Sequence, residues 1–413
     1  MADMFDYLDW FGDFDFETVP FNEVDNLILA QVSYLPLLDV VPAPGEGSVS
    51  LAEAANRYVE KFPSSAPARL GPLLSARTND LLGHMASCGR RYADMQLGAY
   101  EEVLDEGTHE QFGAITFELP DGSIYVAFRG TDSSLEGWLE DCEISYKVIP
   151  SQTHALAYLR AVVAAAKKTD GQGQVRVGGH SKGGNLAAYA ASRLSEGDRS
   201  HIRAVWCNDS PGFCDEVVSP DSLRCICERT HLFTPEYSVV GSLFNHAVMP
   251  RIIQSSGVGV MEHSAVEWQV MRGSFIEGRQ RSDSSVRVVQ AFNQLIDSRD
   301  LPGRRKLLDD LYEALHAQGI YDIDDMMSRG LPGLNATMTS INSLTPEDRQ
   351  TMTNFLLGIA GGSISGAVND AVAPVAQQLG EAWEDAKATM QERMRENAAK
   401  ALQNLQSRQH FGE

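Results

Sequence analysis

Gly179-His180-Ser181-Lys182-Gly183 lies between an apolar run that reads as a strand, Val175 to Gly178, and an alanine-rich run that reads as a helix, Gly183 to Leu194. A sharp strand-to-helix turn strains the backbone at its apex. Only glycine at the flanking positions lets the neighbouring chain pass without a Cβ clash, and Gly184 adds further room. The turn lifts the serine hydroxyl above the carboxyl edge of a sheet and leaves the Lys182 amide at a helix N-terminus facing the same space. Ser181 is therefore the candidate nucleophile and the Lys182 amide a candidate oxyanion donor. The alternative, a glycine-rich phosphate-binding turn, would need a Gly-x4-Gly-Lys-Ser/Thr spacing that the chain lacks.

The surrounding periodicity gives such a sheet its strands. Ala114 to Leu119 and Ser123 to Phe128 alternate in polarity around Pro120-Asp121-Gly122, which predicts a β-hairpin. A helix over His154 to Lys168, the Val175 strand, the Gly183 helix and a strand over Ile202 to Cys207 follow in turn. Strands separated by helices imply βαβ units and a mainly parallel sheet. Upstream, helical spacing recurs over Glu23 to Gln31, Leu51 to Phe62 and Gly71 to Tyr92. Beyond about residue 290 the strand signals fade, and helices are expected over Val289 to Ile296, Arg304 to His316, Pro346 to Ile359 and Val372 to Gln406. The expected organisation is an acidic N-terminal segment with a helix over 1–40, an α/β domain over 41–300 and a helical extension over 301–413.

The remaining catalytic groups are sought at the same sheet edge. Val126-Ala127-Phe128-Arg129-Gly130-Thr131 lies where a second oxyanion donor is needed, so Thr131 is the candidate; one such donor is worth on the order of 3 kcal/mol in the transition state. A general base belongs on a loop after the last strands. Of ten histidines, His201 falls at the wrong end of the sheet, His231 within a strand, and His316 and His410 in the extension. His263, after the strand Arg251 to Gln254 and the glycine-rich loop Ser255 to Gly259, is preferred over His246. Two carboxylates fit the chain order for the acid that orients the base. Asp209, in the turn Asn208-Asp209-Ser210-Pro211-Gly212, is preferred over Glu236, because a short side chain fixed by a Pro-Gly turn is the better preorganised.

Composition narrows the class. Hydrophobic residues make up 43% of the 413-residue chain, enough for a full-sized core, while a net charge of −22 disfavours nucleic acid and anionic membrane surfaces as partners. The charge is front-loaded, since only carboxylates precede Arg57. The start has neither the positive charge nor the apolar run of a secretory signal, and the six cysteines form no CxxC pair and no zinc spacing, so reduced thiols and a cytoplasmic location are expected. The apolar stretch Phe355 to Leu379 is interrupted by Asn369, Asp370 and Pro374, which reads as a packed helix rather than a membrane span. No metal or organic cofactor is called for.

Taken together, Phe128-Arg129-Gly130-Thr131-Asp132, Gly137-Trp138-Leu139-Glu140-Asp141 and Gly179-His180-Ser181-Lys182-Gly183-Gly184 resemble the class 3 lipase pattern of the α/β-hydrolases. More closely, the chain is similar to a bacterial lipase-related family, the Mbeg-like proteins. The likeness spans about residues 20 to 320 and includes Phe21-Asn22-Glu23-Val24-Asp25, Gln111-Phe112-Gly113-Ala114, Asn208 to Phe213, Ser238-Val239-Val240-Gly241 and Glu262 to Trp268. The resemblance implies a class 3 lipase-like α/β-hydrolase fold with Ser181 as nucleophile, His263 as base and Thr131 as oxyanion residue. Where the lipases carry their acid, the matching position here is Ser238, a second reason to prefer Asp209. The family's usual Gln-His-Asp around the base is replaced by Glu262 and Ser264.

The expected activity is acyl transfer from an ester or lipid substrate to water, through an acyl-enzyme on Ser181. A thioesterase or peptidase with the same residues is one alternative; a catalytically silent fold kept as a binding module is another. Asp132 to Thr153, with Leu135, Trp138, Ile144, Tyr146 and Val148, reads either as a lid over an apolar acyl pocket or as a surface crossover packed on itself. The Lys182 ammonium either attracts an anionic head group or, the preferred reading, pairs with a nearby carboxylate.

Overall fold

In the computed structural model, residues 2–360 are described except 69, 71–73, 106, 133–134, 169–172 and 342. The helices in chain order are α1 (Met4–Phe11), α2 (Glu23–Val32), α3 (Leu51–Lys61), α4 (Leu81–Ser87), α5 (Leu135–Glu143), α6 (Pro150–Ala166), α7 (Lys182–Arg193), the single turns α8 (Glu196–Arg199) and α9 (Pro220–Leu223), then α10 (Asp283–Asp297), α11 (Leu301–Ala317), α12 (Ile323–Ser340) and α13 (Pro346–Ala360). The strands are β1 (Ser48–Ser50), β2 (Gln96–Asp105), β3 (Glu110–Glu118), β4 (Ile124–Phe128), β5 (Val175–His180), β6 (Ile202–Asn208), β7 (Thr230–Pro235) and β8 (Arg251–Ile253). They form an eight-stranded sheet in sequential order. β1 to β4 pair antiparallel and β4 to β8 parallel, so the sheet is mixed with a parallel half.

Period-two alternation sorts the side chains to two faces. Ile115, Phe117, Tyr125, Ala127, Trp206 and Phe233 join one core cluster with α1 to α4. Ala114, Val126, Phe128, Val177, Val205 and Cys207 join the other, beneath α6 and α7. Gly178 has no side chain because α2 crosses there: a Cβ would lie 3.0 Å from Asn26 Oδ1 and 2.8 Å from the Trp206 Cβ. A sheet covered on both faces by helices, with parallel strands ending in a serine turn, is the α/β-hydrolase architecture.

Three departures from the sequence-based expectations have local causes. In the stretch where a helix was expected over Gly71 to Tyr92, the described residues form a 3-10 turn, Ala76–Asp80, followed by α4. Arg91, near the end of that stretch, serves the core: its buried guanidinium donates to Asp25 through Nε at 2.7 Å and through its second nitrogen at 2.5 Å. Tyr7 and Tyr92 donate hydroxyls to the same carboxylate at 3.0 and 2.6 Å, so the acidic N-terminal segment is tied into the core. β2 was not expected, because its alternation breaks at a bulge between Gly98 and Glu101, where Ala99 has φ 50°. α12 was not expected either, since Gly330, Pro332 and Gly333 lower its helical propensity. The helix expected over Val372 to Gln406 lies outside the described residues, as does most of Phe355 to Leu379. Among the described residues no helix is long and apolar enough to cross a membrane. All six cysteines are unpaired.

Candidate active site

The site is assembled from loops at the carboxyl ends of β4 to β8. After β5, Ser181 has φ 56° and ψ −134°, a left-handed conformation that costs a non-glycine residue on the order of 1–3 kcal/mol. The flanking glycines allow it. A Cβ at Gly179 would lie 2.3 Å from the Gly183 carbonyl carbon, and one at Gly183 would lie 2.1 Å from the Phe128 carbonyl oxygen. The Ser181 amide donates to Asn208 O at 2.9 Å, pinning the turn to β6. Asn208 donates its side-chain amide to Gly179 O at 3.0 Å and accepts from Asn26 of α2 at 2.9 Å, so the N-terminal helix braces the turn from below.

The loop after β4 backs onto this turn. A Cβ at Gly130 would lie 3.0 Å from the Ser181 Cβ and 2.6 Å from His180 O, which puts the following residue, Thr131, beside the serine. The Thr131 hydroxyl donates to Asp141 Oδ2 at 2.5 Å. Burial pushes the Asp141 carboxyl up to about 6, against the opposing pull of the Lys182 charge and the Thr131 hydrogen bond. Lys182 opens α7 with its amide at the helix N-terminus, while its buried ammonium turns away. All three ammonium protons are taken: Nζ donates to Gln111 O at 2.8 Å, Gln111 Oε1 at 2.7 Å and Glu140 Oε2 at 2.7 Å. The cation therefore pairs with a carboxylate. Glu140 also accepts the amides of Gln111 and Ser151, both at 3.1 Å, and so joins β3, α5 and α6 to the start of α7.

Asp209 follows β6 with φ 44°, and its amide donates to Phe233 O at 2.8 Å. Its Oδ2 lies 2.6 Å from Nδ1 of His263, which sits in the 3-10 turn Gly259–His263, and both side chains are buried. The other oxygen, Oδ1, accepts the Ser238 hydroxyl at 2.5 Å. Ser238, at the position where the sequence likeness leads one to look for an acid after β7, thus supports a carboxylate carried one strand earlier. Gly241 leaves room for it, since a Cβ there would lie 2.1 Å from Oδ1. The rival carboxylate, Glu236, instead accepts the Arg279 amide at 2.8 Å. Glu262 accepts the Tyr237 amide at 2.8 Å, so this departure from the family motif braces the loop after β7. His246 is half-buried, and desolvation pushes it down to about 4, which keeps it neutral.

Sequence reasoning did not single out His180 or Tyr34. The His180 ring lies 4.4 Å from the His263 ring, centroid to centroid. Burial and the neighbouring His263 hold it well below the usual histidine range, so it is neutral. His180 Nε2 is 2.8 Å from the His263 carbonyl, which can only accept. The proton is therefore on Nε2, and Nδ1 accepts the Tyr34 hydroxyl at 3.0 Å. This chain, reaching from the end of α2 to the His263 loop, spans 146 residues between Tyr34 and His180, and only the histidine within the serine turn hints at it. Among the described residues no group of three or more His, Cys, Asp or Glu side chains is arranged to hold a metal ion.

The Mbeg1-like family pattern matches residues 86–313, more than half of the chain. The chain belongs to the Mbeg1-like family. No curated protein matches it. Among solved structures, this Mbeg1-like chain is similar to Lip2 lipase from Yarrowia lipolytica, with 12% identity, a TM-score of 0.32, and coverage of 45% of this chain and 71% of that one. It is also similar to M37 lipase, with 13% identity, a TM-score of 0.33, and coverage of 53% and 69% respectively.

Proposed function

We propose that this Mbeg1-like chain is a serine hydrolase that cleaves carboxylic esters of acyl or lipid substrates, with Ser181 as nucleophile, His263 as general base and Asp209 as the acid. The hydrolase machinery is carried by 41–300, with 1–40 and 301–413 flanking it, and the unpaired cysteines suit a cytoplasmic setting. The observation that carries the reading is the 2.6 Å contact between Asp209 and His263 Nδ1 at the sheet edge that bears the strained Ser181. With Nδ1–H donated to Asp209, His263 presents Nε2 as the base.

In the first step His263 Nε2 takes the Ser181 proton as Oγ bonds to the ester carbonyl carbon. The amides of Thr131 and Lys182 donate to the resulting oxyanion. The ester C–O bond then breaks, and the imidazolium returns the proton to the leaving alcohol. Water attacks the acyl-enzyme with His263 again accepting a proton; collapse frees Ser181 and releases the carboxylic acid.

The test is hydrolysis of an acyl ester panel beside thioester and peptide substrates. Ser181→Ala is expected to abolish turnover, His263→Ala and Asp209→Asn to lower kcat by on the order of 10³-fold or more, and Glu236→Ala to change it less than about threefold. Preferential thioester or peptide cleavage would reassign the substrate while keeping the residues. Equal activity of wild type and Ser181→Ala would refute the proposal.

A further inference from the structure

Gln111, the second residue of β3, is fully buried and reaches both of the segments whose amides are proposed to hold the oxyanion. A buried carboxamide must satisfy its oxygen and its nitrogen, and the neighbours here decide which way it points. The Lys182 ammonium can only donate, so the atom 2.7 Å from Nζ is Oε1. Nε2 is thereby turned to the loop after β4, where it donates to Gly130 O at 3.5 Å. The Gln111 backbone is held as well, since its carbonyl accepts from the same ammonium at 2.8 Å and its amide donates to Glu140 Oε2 at 3.1 Å. The pairing of β3 with β4 runs on past Phe128, with the Arg129 amide donating to Gly113 O at 2.8 Å, and this brings the Gly130 carbonyl to Gln111.

Resting on the ester-hydrolase reading, we propose that Gln111 is a positioning residue that couples the two oxyanion donors. The Gly130 carbonyl and the Thr131 N–H belong to one planar, trans peptide unit, so a donor on the carbonyl fixes the direction in which the N–H points. The Thr131 hydroxyl is committed to Asp141 and does not do this. Hydrogen bonds on the two ends of one amide polarise each other. As negative charge grows on the substrate oxygen and draws on the Thr131 N–H, the Gly130 carbonyl becomes the better acceptor for Gln111. The 3.5 Å contact is long at rest and strengthens where charge develops, which is the condition for an interaction to raise kcat rather than to tighten substrate binding. At its other end the same side chain holds the ammonium of Lys182, whose backbone amide is the second donor at the start of α7. An apolar residue at position 182 would need neither Gln111 nor Glu140, and apolar replacement of a buried ion pair is often neutral or stabilising. The network is accounted for by the two amides it aligns.

The experiment measures kcat and KM for a butyryl ester, and the inhibition constant of a short alkyl trifluoromethyl ketone, in wild type, Gln111→Glu and Gln111→Met. The ketone carbon bonds to Ser181 Oγ while the hydroxyl proton passes to His263, which leaves a tetrahedral oxyanion and no leaving group. Gln111→Glu keeps the length and the acceptor for Lys182 but has no proton for Gly130 O, whereas Gln111→Met keeps the length alone. Losing a whole oxyanion donor costs roughly 10²–10³ in kcat, and misdirecting one costs less. The expected result in both variants is a fall in kcat of roughly tenfold to a hundredfold, with KM within about twofold and the ketone inhibition constant raised by the factor that kcat/KM loses. A role confined to packing would lower Tm without producing that split. A variant with a cooperative thermal transition that keeps kcat within about threefold of wild type, or loses activity through KM alone, would overturn the proposal. Failure of both variants to fold would overturn it too, by making Gln111 a residue of the core. Wild-type turnover would in each case leave the hydrolase reading standing, while absence of ester turnover and of ketone binding in wild type would sink that reading and the positioning role with it.

Discussion

Asp141 ties α5 to the loop after β4, since its carboxyl accepts from Thr131 and feels the Lys182 charge. Burial raises it from 3.8 to about 6, so the native state holds this proton more tightly than the unfolded chain does. The native state therefore binds more protons between those two values, and the contribution of Asp141 to stability falls as pH rises through about 6. An asparagine in its place can still accept the Thr131 hydroxyl but has no charge to desolvate. Asp141→Asn is therefore expected to raise Tm relative to wild type at pH 7.5, with the difference shrinking toward pH 4.5 as wild type becomes protonated. Thermal unfolding at several pH values checks this, and a difference that grows as pH falls would contradict the assignment.

Among the elements, the N-terminal helices illustrate how tertiary pairing escapes a sequence reading. The buried Arg91–Asp25 pair, with Tyr7 and Tyr92 on the same carboxylate, holds α1 and α2 against the sheet. Breaking one side of a buried pair leaves an uncompensated charge, so Arg91→Met is expected to lower unfolding free energy by about 3–5 kcal/mol and Arg91→Met with Asp25→Asn by less. Denaturant titration of both variants decides it. The sequence made the hairpin of β3 and β4, strands β5 and β6, and helices α6 and α7 legible, because each carries a clean period of two or 3.6 over buried positions. It did not reveal β2, whose bulge shifts its register, or α12, whose glycines and proline are overridden by packing of Leu334 and Met338 into a further core cluster that joins α5 to α10, α11 and α13. Of the candidate site, Ser181, His263 and Asp209 were nameable because they sit at turns with local signatures. The bracing roles of Tyr34, His180 and Asn26 depend on contacts across more than a hundred residues, which no local pattern encodes.

Across the whole molecule, the site draws on nearly every part of the described chain. β4 to β8 each deliver one loop to the same edge: Thr131, Ser181, Asp209, Ser238 and His263 follow them in turn. α2 braces the serine turn from beneath, and α13 packs against the 3-10 turn that carries His263. Trp138 of α5 belongs to one core cluster with residues of α10 to α13, so the segment expected either as a lid or as a self-packed crossover is clamped by the C-terminal helices, while Leu135 has no described side chain. The account depends above all on Ser181 being an activated nucleophile. Peptide mapping by tandem mass spectrometry after fluorophosphonate treatment measures this directly. One phosphonyl adduct on Ser181, lost in Ser181→Ala and strongly slowed in His263→Ala, is the predicted result. An unmodified Ser181 peptide in wild type, or an adduct that forms equally fast without His263, would contradict it.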